Sequence, residues 1–400
     1  MSVGQGGHEP CIQAFGADQF DEASEQTGEA MQSFFNWWYF GLTCGAVTGT
    51  VIFSYIQEYV GWAIGFGIPS IVVVVAPVLF LAGRKSYRCR SPGGSPLTQV
   101  AQVIVAAVRK RHVPPLEVDQ EGGKQDYTTN QFKFLDKAAI KDEVDACCSS
   151  THDWRLCSTT QVEEVKQLLR LLPILLSCLM FAVVTAQTAT FFVKQSSTMD
   201  RTVWSSFKVT PATFLLSVDI AAMLTIPIYD RVAVPLLTKI TKIPTGLTVL
   251  QRIGAGMFLS VIQMAVAALV EAQRLRIAKE HGLDGEPDAV VPMSVWWLLP
   301  QDVLCGVAAV LASVGLQQLF YEEMPGGMRS LGAAAVAGVF GMGEFLSSFI
   351  MSMVEAVSDE WLADNLNSGR LDCWYWLLVG LSSMWFVGYV TAARCFVYKH

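Results

Sequence analysis

Eight separate stretches of this chain, each about twenty mostly apolar residues long, constrain its fold more than any other feature. They run from Phe34 to Ile56, Ile64 to Ala82, Leu168 to Phe192, Pro211 to Tyr229, Leu250 to Val270, Val295 to Phe320, Gly332 to Val357 and Cys373 to Ala393. About twenty residues carry a helix across a bilayer, and only internally bonded helices or closed barrels survive where water is absent. The expected class is an all-α membrane protein with about eight transmembrane helices. With 52% hydrophobic and 16% charged residues in 400, and a mean hydropathy of +0.39, the chain does not fit the soluble class. The lipid bilayer is thus the first partner implied.

Charge and cysteine usage narrow the chemistry. A net charge of −7 offers no electrostatic footprint for nucleic acid. Cys147, Cys148 and Cys157 form the one close group among ten cysteines and lack the paired spacing of a zinc site. The sequence shows no HExxH, GxSxG, Walker loop or complete GxGxxG, so an enzyme is not expected and no cofactor is implied.

Gly83 to Glu164 is a long polar tract between the second and third spans, and it carries twelve of the 28 basic residues. Arg84 to Arg90, flanking a span closely, orient the chain best, which places this tract and both chain ends in the cytoplasm. Inside the tract, Ser95-Pro96 precedes an apolar stripe of Leu97, Val100, Ile104 and Val108 and a basic end at Arg109 to Arg111. The spacing predicts an amphipathic helix, capped by Ser95, lying on the membrane surface or on the helical bundle.

Several residues stand out within the spans. Gly41, Gly45 and Gly49 share one helix face, which predicts close packing of a neighbouring helix; Gly254 with Gly256 and Gly341 with Gly343 read the same way. Asp219 and Glu344 are costly inside a bilayer and so are candidates for a pore or pocket, whereas Asp302 reads as structural. Tyr229-Asp230-Arg231 closes the fourth expected span, where Asp230 and Arg231 could latch a neighbouring helix in one conformation and release it in another.

Phe15-Gly-Ala-Asp-Gln-Phe-Asp-Glu22 resembles the signature of the plant nitrate and peptide transporter family, within the proton-coupled oligopeptide transporters. Further agreement comes from Phe35 to Phe40, Phe134 to Ala139, Asp153 to Arg155 with Gln161 to Lys166, Ile226 to Arg231, Gly246 to Gly254, Leu298 to Gln301 and Gly315 to Tyr321. The resemblance runs from Gly4 to the C-terminus. It implies the major facilitator fold, a proton as coupling ion, and a solute such as nitrate, a peptide or another small organic ion. Plasma membrane and vacuolar membrane are both compatible with it.

The eight spans correspond in this resemblance to helices five to twelve, with Met1 in what resembles the tail of helix four. The implied organisation is a segment at 1–33, two helices of the first half at 34–82, a cytoplasmic central loop at 83–164 and a six-helix second half at 165–400. Glu9 stands where the family has a lysine, Ala309 where it has an acid, and Thr185 where a nitrate-carrying member has histidine. Thr43, Thr185 and Gln187 match cavity positions, and Glu344 falls at or beside one. The expectation is a symporter-type protein that is truncated and impaired alone. The alternatives are a non-transporting partner of a full-length relative, or an incomplete gene model.

Overall fold

The computed structural model of the chain describes residues 11–12, 15–19, 27–88, 95–112, 132–140, 154–203, 207–209, 211–243, 245–283, 285–286, 289–324, 328–358, 360–363 and 365–396. Long helices dominate them: α1 (Thr27–Tyr59), α2 (Trp62–Ala82), α3 (Pro96–Arg109), α4 (Thr159–Ser197), α5 (Leu216–Thr241), α6 (Val249–Glu280), α7 (Leu299–Glu323), α8 (Arg329–Val357) and α9 (Leu371–Cys395). Seven helices are long and apolar enough to cross a membrane among the described residues, where the sequence suggested eight. The expected first span is the one outside that count. It lies in α1, a continuous helix of 33 residues.

Most helices run past the expected spans because polar residues extend them beyond the apolar stretch. Ser158 and Gln161 form a reciprocal capping box that starts α4 nine residues before Leu168, and Thr248 with Gln251 does the same for α6. At its other end α6 continues ten residues past Val270, carrying Glu271 and Arg274 inside the protein. Ser95 makes no side-chain cap on α3, contrary to the expectation, although Pro96 does occupy the first turn.

The fourth expected span needs a larger correction. Pro211–Phe214 is a separate short helix, and α5 runs through Tyr229-Asp230-Arg231 to Thr241 instead of ending there. Those residues lie in a π-helical turn, Tyr229–Ala233. Pro235 cannot donate to the carbonyl of Arg231, and a wider turn placed just before it absorbs that mismatch without ending the helix. A second π-helical turn, Thr188–Phe192, interrupts α4.

Helices α1 and α2 meet in a hairpin tighter than expected, because only Val60 and Gly61 separate them; Gly61 has a φ of 135° and both amides bond the Ile56 carbonyl at 2.9 Å. The end of the bundle opposite this hairpin carries α3 and is called the loop end; the hairpin end is the far end. Two small sheets that the sequence did not signal lie at the far end, one parallel between Met199–Asp200 and Val291–Ser294, the other antiparallel between Thr202–Val203 and Phe207–Lys208.

The largest core cluster joins α4, α6, α7, α8 and α9 through residues such as Leu171, Ile253, Ala312 and Tyr389. Three of the expected glycine contacts hold there, at Gly254 against the Tyr389 ring, at Gly256 and at Gly343, whereas Gly341 meets nothing within 4 Å. A Cβ on Gly256 would sit 2.6 Å from the Ala312 amide, and one on Gly343 would collide with Ala182. The glycine face of α1 behaves differently: nothing lies within 4 Å of a Cβ built on Gly41 or Gly45. Its opposite face packs α5 and α7, with Phe35 against Tyr321 and Tyr39 and Phe40 against Ala222, Ile226 and Val310.

Candidate functional site

Two cavities sit side by side in the helical bundle, sharing a wall made by Thr185 of α4 and Phe340 of α8. The first, about 250 Å³, lies between α1, α4, α7 and α8, with Tyr39, Ser313 and Gln317 as polar lining. The second, about 300 Å³, lies between α4, α5 and α8, and Thr188, Asp219 and Glu344 supply its polar groups. Both carboxylates singled out inside the apolar stretches therefore face one space. No Lys, Arg or His lines either cavity among the described residues. Such a wall can take up protons or hold a positively charged group, while the hydroxyls accept hydrogen bonds. Thr185 already donates its proton to the Phe181 carbonyl at 2.9 Å, so towards the cavity it is an acceptor.

The other sequence candidates fall elsewhere. Thr43 is buried, donates to the Tyr39 and Phe40 carbonyls at 3.1 and 3.0 Å, and lines neither cavity. Gln187 is fully buried as a pin between three helices: its amide donates to Val183 O and Ser347 Oγ, both at 2.9 Å, and its oxygen accepts from Trp374 Nε1 at 3.0 Å. Asp302 is buried and accepts a 2.5 Å hydrogen bond from Ser217, tying α7 to α5. No cluster of three or more His, Cys, Asp or Glu side chains could hold a metal among the described residues.

At the loop end, two polar clusters join α1 and the segment before it to the helices from α4 onward. In one, Asn36 of α1 donates to Asp230 at 3.3 Å and accepts from Arg252 Nη2 at 2.6 Å; the Arg252 guanidinium lies 4.6 Å from the Tyr229 ring centre. In the other, Asp18 accepts from Tyr321 and from Arg329, each at 2.9 Å, and Arg329 lies over the Tyr321 ring. Asp230 thus bonds a neighbouring helix through Asn36, whereas Arg231 is exposed. Sequence reasoning did not single out Asp18, Asn36, Arg252 and Arg329, which form these clusters. The available signal was the polar residue inside each recognised motif: Asp18 in Phe15 to Glu22, Asn36 in Phe35 to Phe40, Arg252 in Gly246 to Gly254.

Comparison with known proteins agrees with this architecture. The family model described as the POT family matches residues 1–366. Among curated proteins of Arabidopsis thaliana, Protein NRT1/ PTR FAMILY 5.4 is 45% identical over 420 residues, covering all of this chain and 76% of the relative. Protein NRT1/ PTR FAMILY 5.10 is 45% identical over 410 residues, covering all of this chain and 72% of the relative. An auto inhibited POT family peptide transporter of known crystal structure superposes with a TM-score of 0.61 at 18% identity, over 100% of this chain and 76% of that one. The POT family transporter PepTSo gives 0.60 at 18% identity, over 99% of this chain and 77% of that one. These two likenesses show the fold. The chain is therefore a multi-pass membrane protein with the major facilitator fold, and it belongs to the POT family of transporters.

Proposed function

We propose that the chain takes part in proton-coupled symport of a small solute, such as nitrate, a peptide or another organic ion, across the plasma or vacuolar membrane. The observation that carries this reading is the convergence of Asp219, Glu344 and Thr185 on one cavity between α4, α5 and α8. A carboxylate in an apolar span is expensive unless it serves a pathway, a partner or a proton. Glu344 then handles the proton, with Thr185 and Asp219 facing the solute. The loop-end clusters act as the gate that parts when the two helical groups rock around the cavity, with the loop end facing the cytoplasm. Thr43 and Gln187 act through packing in this reading.

Coupled uptake needs further helices against α1 and α2. Only 6% of the apolar window of α2 is buried, and the glycine face of α1 is open. Whether such helices come from the same polypeptide or from a full-length relative is decided by co-expression. The test uses proteoliposomes with an inward acid gradient and labelled nitrate, dipeptide or organic ions. The chain alone should accumulate none above empty vesicles, while an accepted solute should still protect Thr185→Cys from alkylation. Robust accumulation by the chain alone would remove the requirement for added helices. Lack of protection by every solute would remove the cavity as the binding site.

A further inference from the structure

Helix α3 has two apolar faces, and the protein uses one of them. Val103, Ala106 and Ala107 are buried against the short 3-10 helix Lys133–Ala139 and the first turns of α4, in a cluster completed by Leu135, Val162 and Val165. The stripe Leu97, Ile104 and Val108, spaced by seven and four residues, lies on another side and is 65%, 40% and 58% exposed. Polar Thr98, Gln102 and Arg109 separate the two faces on one flank. A surface helix of a soluble domain needs a single apolar stripe. The second one needs an occupant.

The level of α3 and the charge around it say which. Val100 packs both against the loop-end cluster and against the bundle core that contains Leu168 and Leu171, so α3 lies where α4 enters its apolar stretch. Among the described residues, the acids of the elements packed against it are engaged internally: Asp136 and Glu163 hold the buried Lys166, and Glu164 accepts from Gln99. Arg109 and Arg111 at the end of α3 and Lys133 on the 3-10 helix packed against it are exposed; Arg84 and Lys85, at the loop end of α2, are exposed too. An apolar stripe at interfacial height with an outward basic fringe matches an anionic lipid surface.

We propose that α3 is a lipid-seated strut: its inner face is fixed to α4 and its Leu97, Ile104 and Val108 stripe inserts into the anionic leaflet on the loop side. Motion of α4 relative to the bilayer is thereby tied to the lipid composition of that leaflet. This inference does not depend on whether the chain transports anything.

The full chain is reconstituted with phosphatidylserine-containing vesicles, and an encoded environment-sensitive fluorescent amino acid replaces Ile104, Val108 or, as the control, Gln102, one at a time. Brominated-chain lipid should quench the probe at positions 104 and 108 several-fold more than at 102, and aqueous iodide should show the reverse order. Exchanging phosphatidylserine for phosphatidylcholine should weaken the lipid quenching. Equal iodide access at all three positions would overturn the proposal by leaving the stripe in water. Protection of 104 and 108 from both quenchers would overturn it too, because a protein surface would then be the occupant.

Discussion

At the far end of the bundle a buried arginine uses every donor it has, whereas at the loop end another uses less than half. Arg274 and Glu271 are both fully buried; the guanidinium gives two hydrogen bonds to Glu271 and others to Thr198, Asn367 and the Leu366 carbonyl. All five of its N–H groups have an acceptor. Arg252 is just as buried, yet among the described residues Nη2 alone finds partners, Asn36 and the Val310 carbonyl, while Nε and Nη1 have none. The first network welds α6, the end of α4 and the loop before α9 into one body. The second joins helices that must separate if the protein changes shape. A saturated network has one arrangement, and an unsaturated one can exchange partners at low cost.

The largest effect is therefore expected at Arg274→Met. It leaves the Glu271 carboxylate buried and uncompensated, and removing one partner of such a pair typically costs about 3–5 kcal/mol. Thermal unfolding in detergent should fall sharply, with Glu271→Gln behaving similarly and the double variant recovering part of the loss. A small shift for Arg274→Met would mean that the far end is not a weld.

A smaller effect of a different kind is expected at Asn36→Ala. It removes the group that both accepts from Arg252 and donates to Asp230, at a cost of about 1 kcal/mol in the latched state, or roughly a fivefold change in population. Since Arg252 and Asp230 both lie outside α1, they can pair directly once Asn36 is gone, so overall stability should barely change. The readout is alkylation of Thr185→Cys from the loop side of sealed vesicles, which should become several-fold faster. An unchanged rate together with lost stability would make the loop-end cluster another weld.

This contrast was only partly legible in the sequence. The apolar stretches located the helices, since lipid demands continuous runs, and the carboxylates Asp219 and Glu344 were visible because charge there is costly. The ends of helices were not, because capping boxes such as Ser158 with Gln161 extend them into polar sequence where hydropathy is silent. The weld escaped for that reason: Glu271 and Arg274 fall just past the apolar stretch that ends at Val270, on the part of α6 that hydropathy does not mark. Arg252 and Asn36 escaped for another. Each looks like a flank residue by itself, and only tertiary packing brings positions 36, 230 and 252 together. Thr43 and Gln187 show the converse, polar groups that the family resemblance places at cavity positions but that hydrogen bonds inside the bundle engage.

The smallest expected effect tests the open side of α1. Glycine spacing predicted close packing at Gly45 as well as at Gly343, yet only the second has a neighbour, Ala182, in the way of a Cβ. Gly343→Ala must force α8 away from α4, at roughly 1–3 kcal/mol for an overpacked core. Gly45→Ala meets open space and replaces a residue poorly suited to a helix interior with the best helix former, so it should leave stability unchanged or raise it by up to about 1 kcal/mol. The two are compared by unfolding of the reconstituted chain, where neighbouring helices from any source can pack. Equal losses would show that in the membrane another helix already covers the α1 face, and the requirement for added helices would then be met by that assembly. Unequal losses would keep α1 as the half-covered partner of a well-packed six-helix body, which is the asymmetry on which the weld and the latch both depend.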